Sequence, residues 1–566
     1  MVVNFMDVRR GIIFVGLAIV SYMLVLAWNE DYGQLPAQQA VTQKIQENTP
    51  SNSFESSHEN TTSNSTEFTV PESSGSQTIA TENLASNTVK KLIKVKTDLL
   101  DLVIDLNGGN VISTTMTEYK TALGSTESLP LLEKNNLRHY VVESGLFGKD
   151  GFDSSKNGPN PIYSSELSSY VLSESADELT VDLNYKNETG VSLIKRYSFK
   201  RDDYLINVTY LINNQSNSTW EGNFSGKIVR DKSGDPSSQS SMGMQSFLGM
   251  ALSSTEKPYE KYDFDDMLEE PINEQIEGGW VAFIQHYFLS AWIPNSDVTH
   301  TYQTRVKNGL YLMGFISPAT KVEPGETQSV SANLYLGPKI IDRLENAAPK
   351  LDLTVDYGWL FFIAYPLFLL LDFLYGLVQN WAVAIILVTV VVKALFFKLS
   401  AASYRSMANM RRVGPKLKSL KDQYGDDRQK MSQAMMELYK KEKINPLGGC
   451  LPIIVQMPVF IALYWVLLES VQLRHAPFMF WINDLSVKDP FFILPILMGI
   501  SMFIQMQLNP APPDPMQAKV MKIMPVMMTV FFLWFPSGLV LYWLVNNILS
   551  ISQQWVITRQ IEKSHA

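Results

Sequence analysis

Apolar positions along the chain change rhythm several times, and each rhythm predicts a different kind of element. Gly11 to Trp28 (GIIFVGLAIVSYMLVLAW) carries no charge, follows Arg9 and Arg10, and precedes Glu30 and Asp31. As a helix it would reach about 27 Å, close to a hydrocarbon core of about 30 Å. A cleaved signal peptide is the competing reading, but its apolar region is usually shorter and no A-x-A site follows. The expectation is an uncleaved anchor over residues 1–32, its flanking charges holding the N-terminus in the cytoplasm. Met6 opens the compact start MDVRR, so Met1 to Phe5 reads as an upstream extension. Residues 33–90 are rich in Ser, Thr, Asn, Gln and Glu with few aromatics, too polar to offset ordering, and read as a flexible tether. The N-x-S/T triplets at Asn64 and Asn223 read as chance in so Asn- and Ser-rich a chain.

Over residues 91–345 the pattern becomes period two: LDLVIDL, LTVDLNY, YLINVTYLI and SVSANLYL alternate apolar and polar positions between Gly, Asn and Asp. That predicts antiparallel strands with one buried face, in a β-sandwich-like domain large enough for its own core. Gly278 to Pro294 (GGWVAFIQHYFLSAWIP) is its most apolar stretch, read as a core strand with His286 as a structural rather than a catalytic histidine.

Beyond Pro349 apolar residues dominate, and between Trp359 and Phe397 only Asp372 and Lys393 are charged in 39 residues. One helix of that length would be about 58 Å long, roughly twice what a bilayer accommodates, so a break is required, placed at residues 376–380. Residues 346–378, aromatic and holding Pro366 and Asp372, are expected to form an interfacial helix, and 379–398 a membrane span. Residues 399–444 read as a cytoplasmic helical hairpin, kinked at Gly414-Pro415 and divided at Gly425-Asp426-Asp427. Residues 445–557 hold four more spans, near 449–468, 491–508, 520–535 and 539–557, the last two joined tightly by Pro536-Ser537-Gly538. A tail, 558–566, completes a multi-domain chain: a polytopic, six-span α-helical membrane protein with a large all-β domain.

Averaged over 566 residues, 46% hydrophobic and 18% charged residues and a mean hydropathy of −0.02 would pass for soluble domains. The average conceals a net charge of −15 over residues 1–350 and +6 over 351–566. Residues 398–443 carry +7, 469–490 carry −1, 509–522 carry +1 and those after Ile557 carry +1. These signs are what six spans with both termini inside and the acidic β domain outside require. Cys450 stands alone, so no intrachain disulfide or cysteine-rich metal site is expected. The six histidines include no HExxH and no close pair, and there is no GxxxxGK[ST] or GxSxG, which leaves no metal, cofactor or ordinary enzyme chemistry to expect.

Lys393 is the leading candidate residue, because an ionisable group inside an apolar span must face water, a partner or a cavity. Lys398 marks the expected boundary about 7.5 Å further along a helix, within snorkelling reach. Spacing alone leaves snorkelling and a functional interior charge equally open. No intramembrane acid is at hand to neutralise it, which argues against a pump-like carboxylate relay and for a cation facing water or an acidic visitor. Thr389 lies one turn away on the same face. Gln456, Gln505, Gln507, Asn546, Asn547, Gln553 and Gln554 lie toward span ends, where interhelical hydrogen bonds are worth about 0.6 to 2 kcal/mol each. With Lys393 they would equally line a shared groove. Fifteen of the 24 methionines fall in residues 401–566, suiting surfaces that take varied apolar partners. Arg405, Arg411, Arg412, Lys416 and Lys418 fix topology and form a candidate docking surface for anionic lipid or ribosomal RNA.

NPLGGCLPIIVQMPVFIALYWVL (445–467), APFMFWINDLSVKDPFFILPILMG (476–499), DPMQAKVMKIMPV (514–526) and FFLWFPSGLVLYWLVNN (531–547) closely resemble the YidC/Oxa family of membrane-protein insertases, in its Gram-negative, six-span form. The resemblance covers nearly the whole chain, MDVRR and LDLTVDYGW (351–359) included, and spares only the tether. It implies five core spans around a positively charged hydrophilic groove, open to cytoplasm and lipid and closed to the periplasm. The groove would attract acidic residues of an incoming protein, whose transmembrane part then slides into lipid without ATP hydrolysis by the insertase. Lys393 falls where the family has its groove arginine, keeping the charge and losing the planar fork. Thr389 matches a substrate-contacting threonine, and Trp543, beside Tyr542, replaces a substrate-contacting tyrosine; Gln456 and Gln505 complete the expected groove. The outer domain would be the family's β-supersandwich, similar to sugar-mutarotase folds. Implied partners are nascent inner-membrane proteins, the Sec translocon, the ribosome, the signal-recognition-particle receptor and membrane lipids, with a monomer sufficient. The rivals are a transporter or channel, and an envelope enzyme acting on sugar or lipid.

Overall fold

The period-two segments form strands because each can bury every second side chain. In Leu205–Asn214, Ile206, Val208, Tyr210 and Ile212 all point into the core, and Leu100–Asp105 alternates in the same way. The structure is a computed structural model that describes residues 92–238, 246–425, 427–442, 451–509 and 515–565. The expected anchor and tether, and Cys450, lie outside the described residues. Among those described, ten strands make one sheet and eight another. The sheets face each other: Trp292 of the smaller packs edge-on to Phe315 of the larger, and the Tyr140 and Ser290 hydroxyls meet at 2.6 Å across the core.

The apolar run 278–294 is a hairpin rather than one strand. Trp280–Ile284 and Phe288–Ile293 pair antiparallel, Val281 opposite Trp292, around a turn at Gln285–Tyr287. Doubling back keeps all of its apolar residues inside one sheet. Lys195 is the fully buried ammonium of this core; it donates to the carbonyls of Gly108 (3.1 Å) and Ser144 (3.0 Å) and lies over the rings of Tyr197 and Tyr210. Burial pushes it below the ordinary lysine range, against the attraction of Asp153.

The chain leaves the sandwich through α1 (Ile341–Ala347) and enters α2 (Phe361–Val378). The expected break falls at Gln379, which is left-handed (φ 53°), and Asn380, whose side chain caps α3 (Trp381–Leu395) by accepting from Val383 N at 3.0 Å. Tyr375 stacks on Trp381 at 3.9 Å and folds α2 back onto α3. A bend of 68° separates α3 from α4 (Phe397–Arg412). Gly414-Pro415 opens a separate helix, α5 (Gly414–Tyr424), instead of kinking α4: proline supplies no N–H to an interior turn and is tolerated at a first turn. Gly425 is right-handed (φ −52°) and so is no left-handed cap, whereas Asp427 caps α6 (Arg428–Lys441) as expected, accepting from Lys430 N at 3.1 Å. There follow α7 (Leu451–Glu469), α8 (Ile493–Leu508), α9 (Pro515–Phe532) and α10 (Ser537–His565). The 29 residues of α10 absorb most of the expected tail into one helix.

By length and composition, one described segment, Gly358–Val378, with a mean hydropathy of 2.0, can cross a membrane alone. It is the segment expected to lie in the interface. The bent pair α3–α4 passes the same test when taken together, while Val455–Glu469 and α8 are shorter apolar helices.

The sandwich sits on the outer end of α7. His286 donates from Nε2 to the Leu468 carbonyl at 2.9 Å, Lys339 pairs with Glu469 at 2.6 Å, and Arg474 reaches the Thr121 carbonyl at 3.2 Å. The other ring nitrogen of His286, Nδ1, is buried with no hydrogen-bond partner among the described residues. Burial holds this histidine below its ordinary value of 6.5. The undocked or unfolded form therefore takes up the extra proton, so this contact contributes fully above about pH 6.5 and weakens as pH falls below that value. Amide exchange at Leu468–Val471 is expected to speed up between pH 7 and pH 5 beyond the intrinsic pH effect, and His286→Phe to remove that excess; equal excess in both proteins would assign it elsewhere.

Candidate functional site

α3 is apolar both on its buried face and where Val390, Val391 and Leu395 are exposed, with two buried polar exceptions one turn apart. Thr389 is buried and turns its hydroxyl back to the Ile385 carbonyl at 2.7 Å. Lys393 is 8% exposed, and its Nζ donates to Ser550 Oγ of α10 at 2.8 Å. No carboxylate among the described residues pairs with it. Ser550 passes its own proton to the Asn546 carbonyl at 2.7 Å and also meets the Tyr404 phenol of α4. Three helices therefore converge on one hydroxyl beneath a single positive charge.

Outward along α10 the surface turns aromatic. Tyr542 is buried and Trp543 half-buried, and Phe460 of α7 packs edge-on to Trp543 at 4.4 Å and stacks beside Tyr542 at 5.9 Å. Phe532 of α9 closes on Trp543 at 4.9 Å. Gln456, one turn inward from Phe460, and Gln505 of α8 are half-buried, and no described hydrogen bond joins either to Lys393. The other amides bind helices together: Asn547 to Ser501 at 3.0 Å, Gln554 to the Leu508 carbonyl at 3.1 Å, Gln553 to the Phe397 carbonyl at 3.1 Å.

At the end next to the sandwich a loop covers the helices. Ser537 N and Gly538 N donate to the carbonyls of Val487 (2.7 Å) and Leu485 (2.9 Å), tying the 470–492 loop over the α9–α10 turn. Asp489 fixes that loop, accepting from Phe491 N, Leu494 N and Trp481 Nε1 at 3.0, 2.7 and 3.0 Å. At the opposite end, Arg405, Arg411, Arg412 and Lys416 are exposed; Arg412 and Lys416 also share Glu442. The Lys418 side chain lies outside what the structure describes. Sequence reasoning did not bring Ser550 and Tyr404 to Lys393 or Phe460 to Trp543, since a serine in a long helix and aromatics in apolar helices give no distinctive spacing. Among the described residues no group of His, Cys, Asp and Glu could hold a metal ion.

A largely apolar helical region is joined to a sandwich of two sheets and holds the buried Lys393 ammonium between its helices. Residues 92–370 match the YidC periplasmic domain and residues 373–564 the 60Kd inner membrane protein family. The chain is 58% identical over 564 residues to a protein of Marinobacter nauticus named membrane protein insertase YidC, covering 99% of both. It is also 58% identical over 562 residues to the protein of that name from Hahella chejuensis, covering 98% of both. A crystal structure of active YidC insertase with its first transmembrane domain resolved matches with a TM-score of 0.37 and 17% identity, over 82% of this chain and 92% of that one. The chain belongs to the YidC family of inner-membrane proteins. These relatives are named as insertases and not as enzymes, in keeping with the lack of a catalytic motif.

Ser550→Val removes the acceptor beneath Lys393 and is expected to destabilise the detergent-solubilised protein by about 1–3 kcal/mol. Ser550→Thr should keep the wild-type melting point. An unchanged melting point for Ser550→Val would mean that Lys393 is held by water instead.

Proposed function

We propose that this chain inserts membrane proteins into the bacterial inner membrane and helps them fold, through a wet, positively charged groove between α3, α7 and α10. The reading rests on Lys393, an ammonium 8% exposed among apolar helices that meets a neutral hydroxyl. With no carboxylate partner among the described residues, it attracts an acidic group brought by a client. A polar client segment faces a long dry path across about 30 Å of hydrocarbon. A groove plugged at its outer end and wet from the inside shortens that path. Phe460, Tyr542 and Trp543 then offer an apolar surface along which a client helix passes into lipid.

In this reading the chain makes six spans, the undescribed anchor plus α3, α7, α8, α9 and α10, with both termini and the basic α5–α6 hairpin in the cytoplasm and the sandwich in the periplasm. α2 lies along the outer interface despite its length. Arg405, Arg411, Arg412, Lys416 and Lys418 meet the ribosome, the signal-recognition-particle receptor or anionic lipid, and the protein works alone as a monomer or with the Sec translocon. A transporter would need a coupling charge, and Lys393 has no carboxylate partner among the described residues, which disfavours that alternative.

In cells depleted of the protein, Lys393→Glu is expected to lower insertion of a small single-span client with an acidic outer segment by about tenfold or more, the scale of one lost buried attraction. Lys393→Arg should insert at the wild-type rate. Normal insertion by Lys393→Glu would overturn the attraction mechanism.

A further inference from the structure

The ten-stranded sheet has a second face, turned away from the sandwich core, and strand alternation dictates what lies there. In His139–Phe147 the side chains of Tyr140 and Ser144 enter the core, where they meet Ser290 and Tyr210. His139, Val141, Glu143 and Phe147 therefore point the other way. Register carries the rule to the neighbouring strands, Trp220–Arg230 and Leu310–Val322: Val141 stands opposite Val229, and Val229 opposite Leu312. With Ile316 they form a small apolar cluster separate from the main core. Two residues along, Lys227 stands opposite Glu143 and pairs with it at 3.0 Å.

This face holds a cavity of about 340 Å³, within the range of about 300–1,000 Å³ usual for small-molecule sites. Val229 and Leu312 form its apolar floor, and the exposed Asn160 and Asn308 lie at its rim. Its polar groups are anchored by backbone. Asp153 accepts from Leu146 N at 2.8 Å and packs where Gly145 has no side chain, since a Cβ there would come within 2.6 Å of its Cγ. Asn110 accepts from Ser144 N at 3.2 Å. Groups held in this way are set before any ligand arrives.

The charges at the cavity balance. Glu143 and Asp153 bring two carboxyls, and Lys227 and Lys307 two ammoniums. Burial, and after it Lys134, holds His139 below its ordinary value of 6.5, so it faces the cavity uncharged at pH 7. Such a balance selects neither an anion nor a cation. Donors and acceptors instead stand side by side above an apolar floor. A hydroxyl can use both, because it donates one hydrogen bond and accepts others. A sugar ring carries hydroxyls around its edge and C–H groups on its faces, which matches this arrangement.

We propose that this face of the sheet binds a neutral carbohydrate: a hexopyranose ring lies on Val229 and Leu312 while Glu143, Lys227, Asn110 and Asp153 take its hydroxyls. All of these residues belong to the sandwich, so the proposal is independent of the insertase reading.

The test uses the full-length protein in a detergent without a sugar head group, which would otherwise compete. It is titrated with maltotriose and, separately, with tri-N-acetylchitotriose, and binding is read by calorimetry and by saturation-transfer NMR of the sugar. At least one of the two is expected to bind saturably, and a phosphorylated glucose to bind no more tightly than glucose. Glu143→Gln keeps the shape and removes the charged acceptor; it should weaken binding by about tenfold, the scale of one charge-assisted hydrogen bond. Leu310→Trp at the cavity wall fills the space and leaves every polar group in place. It should abolish binding, and it supplies a second variant should Glu143→Gln not accumulate. Failure of both trisaccharides to bind would overturn the proposal, and so would equal binding by the parent and Leu310→Trp. Tighter binding of the phosphorylated glucose would overturn the assignment to a neutral ligand.

Discussion

A polar group inside hydrocarbon must be paired, wetted or absent, and the helical half of this protein is arranged around one that is only half satisfied. Lys393 has a hydroxyl and, among the described residues, no anion. Thr389, one turn away, spends its proton within its own helix, and Ser550 and Asn547 take up the polar positions of α10. The seam is therefore quiet except at the ammonium. Acidic neighbours would have settled the charge and ended its interest in anything passing; a neutral acceptor holds its position without cancelling it.

The two ends of the seam are treated differently. Outside, a loop fastened by Asp489 and by backbone bonds to the α9–α10 turn covers it, and the sandwich leans on the end of α7. Inside, helices bend away: α3 and α4 part by 68°, and α4, α5 and α6 carry exposed basic side chains. Burial at the sandwich end and solvated charge at the other distinguish the two ends. The net charges of its two halves already pointed the same way.

Much of this was legible along the chain, and the failures have physical causes. Strand alternation, the break before Trp381 and the cap at Asp427 are local properties, so patterns one or two turns long revealed them. Lys393 and Thr389 stood out because charge and hydroxyl are rare in apolar runs. The hairpin within 278–294 was hidden because its strands are buried on both faces and do not alternate, and its turn, Gln285–Tyr287, holds no glycine, proline, asparagine or aspartate. Ser550, 157 residues from Lys393, and Glu469, 130 from Lys339, acquire their meaning from partners brought in by the fold, which no periodicity encodes. The apolar length of Gly358–Val378 equally suits a helix crossing the membrane and one lying along it, and composition does not choose between them.

α10 runs unbroken for 29 residues, about 43 Å, longer than the hydrocarbon it would cross. Its outer third carries Trp543, its middle Ser550, and its inner third Ile557, which packs against Tyr404 of α4. A helix without a proline or a break is stiff along its axis, so it acts as a connecting rod. A push on its C-terminal end would carry along the axis to Trp543, about six turns away, past Ser550, which holds Lys393.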